Sequence, residues 1–139
     1  MTGDDFIALA SRLLLSSVGD PETRHRTAVS RGYYGAFHLA IQFLAELGLR
    51  IPKNHTGHQR AYELLLNSGS SDAEQAARLL ADLRTVRNEA DYDLNKRRLA
   101  SQASAKADVE MAASFQTALR RCDDEAVKSK IMAAIRPTE

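Results

Sequence analysis

Arg84, Arg87 and Asp91, spaced at helical intervals, are the residues of this sequence best placed to do chemistry. If the segment is helical, steps of about 100° put Arg87 inside the apolar arc, between the directions of Leu80 and Leu83. Arg84 and Asp91 then share one edge of that arc. A guanidinium on a core-facing stripe needs a partner, because an unpaired buried charge is costly. Asp91, four residues on, can supply it. Taken plainly, this is an intrahelical ion pair worth about 0.3–0.5 kcal/mol, with the arginine stem covering apolar surface. Taken functionally, it is an arginine held by a carboxylate and aimed at a phosphate or a subunit interface, since the planar fork binds phosphate bidentately.

A second polar set lies upstream. Arg26 and Ser30 lie in the middle of another apolar arc, while Tyr34 and His38 continue one edge of it at four-residue spacing. Ser30, Tyr34 and His38 form a polar ladder that can face Arg84 and Arg87, and His38 is the first candidate for proton transfer. The plain alternative is a hydrogen-bonded core histidine. His55-Thr56-Gly57-His58 sets two imidazoles three residues apart, but no cysteine or acidic residue within the motif completes a metal set. Helix capping by Asn54 or Thr56 explains that motif better, and no metal or cofactor is expected. Arg24-His25-Arg26 and Lys96-Arg97-Arg98 read as solvated surface. No glycine-rich phosphate loop or nucleophile elbow is present.

The elements that must position these residues are all helical. Asp4 or Asp5 can cap a first helix with the stripe Phe6, Ile7, Ala10, Leu13 and Leu14. Asp20-Pro21-Glu22 restarts the chain, with Asp20 as N-cap and Pro21 where its missing N–H costs nothing. The second helix is expected from about Glu22 to Leu47, closing at Gly48. Its wide arc (Tyr33, Phe37, Ala40, Ile41 and Leu44, broadened by Tyr34, Ala36 and Phe43) implies contact with several neighbours. A third helix covers about Thr56 to Asn67. Ser71-Asp72-Ala73-Glu74 reads as a capping box opening a fourth, with Ser71 as N-cap. A last helical region starts near Ser104, is interrupted at Asp123-Asp124, and resumes as a short helix ending at Ile135 with Pro137 after it. No segment alternates with period two over strand length. The expected fold is therefore an all-α, four- to five-helix up-and-down bundle around a long central helix.

Composition sets the frame. A chain of 139 residues fits one domain, 1–139, and can bury roughly two-thirds of its unfolded surface. Hydrophobic residues at 44% and charged residues at 27% are a globular balance. A formal net charge of +1 means that any nucleic-acid role must come from a local cluster. Cys122 stands alone, so no internal disulfide can form, and a reducing cytoplasm is the natural setting. No apolar run approaches the ~18–20 residues of a membrane span, and the acidic N-terminus is unlike a signal peptide. A soluble cytoplasmic domain is expected.

Two motifs carry a family resemblance. Ala28-Val29-Ser30-Arg31-Gly32-Tyr33-Tyr34-Gly35-Ala36-Phe37-His38 resembles the long-helix signature of HEPN proteins (higher eukaryotes and prokaryotes nucleotide-binding). Leu83-Arg84-Thr85-Val86-Arg87-Asn88-Glu89-Ala90-Asp91-Tyr92 is similar to the later motif of the HEPN branch ending in Ala-Asp-Tyr. His55 and Gly57 before an apolar helix fit the same layout, and together the likeness covers roughly Asp4 to Leu119. It implies a helical bundle that forms a homodimer and is encoded beside a nucleotidyltransferase partner, in toxin–antitoxin or defence modules. It also implies binding of nucleotide or RNA, here through Arg84 and Arg87 with Asp91, Tyr92, Tyr34 and Ser30. Many members are metal-independent endoribonucleases whose arginine is followed, four to six residues later, by a histidine.

Here Arg87 matches the arginine and Asn88 the polar residue beside it, but no histidine follows His58 anywhere in the chain. Asp91 and Tyr92 occupy the region where that histidine would lie. An aspartate beside an arginine stays ionised and weakly basic, so cleavage would require His38 or His58 from another helix, with Arg87 stabilising phosphate charge. The alternative is a non-catalytic dimeric helical partner or substrate-binding subunit of a nucleotidyltransferase.

Overall fold

The computed structural model describes residues 1–135. Among them are six α-helices, one short 3-10 turn and no strand. The helices are α1 (Gly3–Leu15), α2 (Pro21–Glu46), α3 (His55–Leu66), α4 (Ser71–Tyr92), α5 (Gln102–Arg121) and α6 (Glu125–Ile135). The expected all-helical bundle is what forms, and the short helix after Asp123-Asp124 is α6. The expected Pro137 stop lies outside the described residues. No helix among them is long and apolar enough to cross a membrane.

The long second helix is central because three neighbours, α1, α4 and α5, pack along it. Most of its wide arc is thereby covered: Tyr33, Ala36, Phe37, Ala40, Phe43 and Leu44 are buried, while Tyr34 and Ile41 are half-buried. Two clusters fill the interior. The larger joins Phe37, Phe43 and Leu44 of α2 to Leu65 of α3, Leu80 and Leu83 of α4, Phe115 of α5 and Ile131 of α6. The smaller joins Ala10 and Leu14 of α1 to Ala28 and Val29 of α2, Ala90 of α4, Leu99, and Ala105 and Val109 of α5. At the crossing of α1 and α2 the backbones touch: a Cβ on Gly3 would sit 2.4 Å from the Gly35 carbonyl oxygen.

Several helix starts differ from expectation by one or two residues. Thr2 caps α1, its hydroxyl accepting from the Asp5 N–H while the Asp5 carboxylate takes the Thr2 N–H. Asp5 is therefore the third residue of a capping box and Asp4 lies in the first turn. Asp20 and Pro21 behave as expected. Ser70, not Ser71, caps α4, accepting from the Ala73 N–H at 3.4 Å. The buried Ser68 hydroxyl accepts from the Ser70 N–H, which fixes the cap one residue early. Ser101 starts α5 ahead of Ser104.

Candidate functional site

The middle of α2 faces the C-terminal half of α4, and there Arg87 sits among three tyrosines. Its guanidinium carbon lies 5.7 Å from the Tyr33 ring centroid, 5.0 Å from that of Tyr34 and 5.4 Å from that of Tyr92. Two of these rings come from α2, while Tyr92 ends Arg87's own helix. The negative ring faces attract the cation. Its Nη2 donates to the Tyr34 hydroxyl and its Nη1 to Asn88 Oδ1 at 3.0 Å. Nε lies 3.0 Å from Asp91 Oδ2, an ion pair without hydrogen-bond alignment, since the buried Nε–H makes no hydrogen bond. Ser30 Oγ donates to the same aspartate oxygen at 3.2 Å. Burial works against the Arg87 charge, but Tyr34, Asp91 and Tyr92 together outweigh it and raise the pKa.

Of the ladder read from the sequence, Ser30 and Tyr34 reach the arginine motif and His38 does not. The His38 ring stacks on Phe6 of α1, with centroids 5.6 Å apart and planes 12° from parallel. Burial, and then the nearby Lys53 charge, push its pKa down. The histidine that does join the cluster is His58 of α3. Its Nδ1 shares a 3.1 Å hydrogen bond with the Tyr33 hydroxyl, and the ring is only 3% exposed. Burial, reinforced by Arg84, lowers its pKa to about 4. His55, by contrast, is exposed at the first residue of α3, which Asn54 caps, so the two imidazoles of that motif serve different surroundings.

Arg84 is half-buried and, among the described residues, makes no hydrogen bond or ion pair. Each of the three Arg87 guanidinium nitrogens thus faces a partner, Asn88, Tyr34 or Asp91, while Arg84 keeps its donors available. Tyr92 is 72% exposed. A pocket of about 330 Å³ opens between α2 and the end of α4, where Asp91 joins Thr23, Thr27, Ser30, Arg31 and Leu94 in its lining.

The basic run Arg24-His25-Arg26 is not solvated surface, as its composition suggested. His25 and Arg26 are 3% and 7% exposed. Arg26 reaches across to the end of α4, where Nη1 donates to the carbonyl oxygens of Glu89 and Ala90 at 3.0 Å each and of Asp93 at 3.4 Å. Its Nη2 donates to the Lys96 carbonyl. The last turn of any helix leaves carbonyls without intrahelical donors and carries partial negative charge, and a buried guanidinium answers both. The sequence signal was Arg26's place in the middle of an apolar arc. His25 clasps the next segment, its ring nitrogens each 2.7 Å from Leu99 O and Gln102 Oε1. Lys96, Arg97 and Arg98 are exposed, as expected, and from that surface Arg98 pairs with Glu89 and with the buried Asp108.

These parts make a fixed cationic site with an aromatic wall. Its buried histidine is neutral near pH 7, and its carboxylate, Asp91, lies beside the Arg87 guanidinium. The arrangement suits binding an anion beside a flat ring better than moving a proton. Set against protein-family models, curated proteins and solved structures, the chain matches none.

Proposed function

We propose that this chain is a HEPN-family component of a toxin–antitoxin-like or nucleotidyltransferase-linked module, binding nucleotide or RNA at the Arg84–Arg87–Tyr92 face. The observation that carries the reading is the tyrosine-enclosed Arg87 beside an arginine with no partner among the described residues. In this reading Arg84 supplies the phosphate contact and Arg87 holds the surface in shape. Cytoplasmic placement follows from the same reading.

Endoribonuclease activity is the less favoured half of the proposal. His38 is turned toward Phe6 and His58 is held neutral by burial, so neither meets the need for a proton-exchanging group near neutral pH. Those two placements favour the non-catalytic binding subunit. The homodimer rests on the family resemblance, because most of α2's wide apolar arc is used within one chain. Light scattering at tens of micromolar tests it, and a monomer there removes it.

The test of the binding reading is fluorescence anisotropy with labelled RNA and with AMP as competitor, on wild type and Arg84→Ala. Binding that falls about ten-fold in Arg84→Ala and weakens with added salt supports it. Incubating the same RNA in EDTA asks separately whether it is cut. No binding by wild type, alone or with the protein encoded beside it, removes the reading.

A further inference from the structure

Among the described residues Tyr92 is the one large aromatic ring left open beside the cationic site. It is the last residue of α4, a position where helices ordinarily fray, yet this end is anchored. The Arg26 guanidinium binds the carbonyls of Glu89, Ala90, Asp93 and Lys96 around it. Arg98 holds Glu89 at 3.0 Å. The ring itself lies 5.4 Å from the Arg87 guanidinium carbon, and the residue keeps 72% of its surface exposed. An aromatic surface that is open but already immobilised costs little entropy to use.

Charge decides what such a surface would bind. The net charge is only +1, and the site offers just two arginines, Arg84 and Arg31, that make no hydrogen bond or ion pair among the described residues, so phosphate attraction alone supplies little affinity. A duplex keeps its bases stacked on one another and presents mainly phosphate and groove edges. An unpaired base presents a free π-face, which an aromatic ring accepts whatever the base identity. A pocket of about 330 Å³ between α2 and the end of α4 has Thr27, Ser30, Arg31 and Asp91, the residue before Tyr92, in its lining, and offers a polar place for the attached sugar and phosphate.

We infer that Tyr92 is a stacking platform for an unpaired nucleobase, which makes the ligand of this site a single-stranded rather than a duplex nucleic acid. The inference rests on the nucleotide-or-RNA reading above and deepens it.

The experiment measures anisotropy of a labelled single-stranded RNA, the same strand with abasic positions, and its duplex, on wild type, Tyr92→Phe and Tyr92→Leu. Circular dichroism confirms that each variant is folded. Wild type should prefer the intact single strand. Tyr92→Phe should bind within about two-fold of it, and Tyr92→Leu about five- to a hundred-fold more weakly. The abasic strand should bind wild type and Tyr92→Leu alike, because it keeps the phosphates and lacks the ring's partner. Intact single strand binding equally to wild type and Tyr92→Leu, or duplex binding best, overturns the platform while leaving RNA binding in place. A change in sedimentation in Tyr92→Leu, with RNA affinity intact, assigns the ring to a protein interface and overturns it too. No binding of any of the three RNAs by wild type ends the inference and the RNA part of the reading together.

Discussion

Arg87 shows how one side chain can be legible in sequence and still change meaning in structure. Its position on the apolar arc and its spacing to Asp91 announced a paired, half-buried cation, and the 3.0 Å contact is there. The two rings from α2 and the Tyr34 hydroxyl were beyond what spacing along α4 could show, because they come from another helix. Arg87→Ala would remove the cation from between three tyrosines and leave Asp91 uncompensated. We expect a loss of about 1–3 kcal/mol of stability, read as a fall in melting temperature with Tyr34→Phe falling less. An unchanged melting temperature would make Arg87 an ordinary surface residue. His58 gives a pH-dependent counterpart. Burial depresses its pKa from 6.5 to about 4, so the unfolded chain takes up a proton there before the folded one does. Its contribution is fully present above about pH 6.5, declines as pH falls, and is lost by about pH 4. Urea unfolding of wild type and His58→Gln across that range should show a steeper wild-type decline, and parallel curves would contradict the assigned burial effect.

At the scale of elements, helix existence was readable because every helix carries a clear apolar stripe and a polar cap. Cap identity was less so. Ser70 and Ser71 are chemically equivalent in sequence, and only the turn built on Ser68 decides between them. The C-terminal end of α4 was the larger omission: its cap is a side chain more than sixty positions upstream, so no local pattern reveals it. That contact also shows why a run of basic residues reads falsely as surface, since the carbonyls that pay for burying Arg26 belong to another helix. Arg26→Met keeps the stem and removes the fork, leaving buried carbonyls without donors. A loss of about 2–4 kcal/mol is expected. Amide hydrogen exchange should accelerate most over residues 89–96, whereas uniform acceleration along the chain would mean that Arg26 does not act as the cap of α4.

At the scale of the whole molecule, α2 runs through both apolar clusters and carries half of the candidate site between them. Ser30 and Tyr34 of that helix are thus held by the same packing that holds the core together. This is why part of the ladder written along α2 in the sequence met Arg87. His38 belongs to the part that did not, because α1 crosses there on the Gly3–Gly35 contact and brings Phe6 over the ring. The choice of histidine depended on how three helices cross, which one-helix periodicity does not encode. The central claim is that ligand meets the protein on the face shared by the middle of α2 and the end of α4. Its most direct test is a backbone and side-chain NMR titration of the 139-residue chain with a short single-stranded RNA. Shifts should concentrate at Arg84, Asn88, Asp91 and Tyr92, with Thr27, Ser30 and Tyr34 following, and change little along α6. Saturable shifts centred elsewhere, as on the loop 48–53 or the α5–α6 turn, would contradict it.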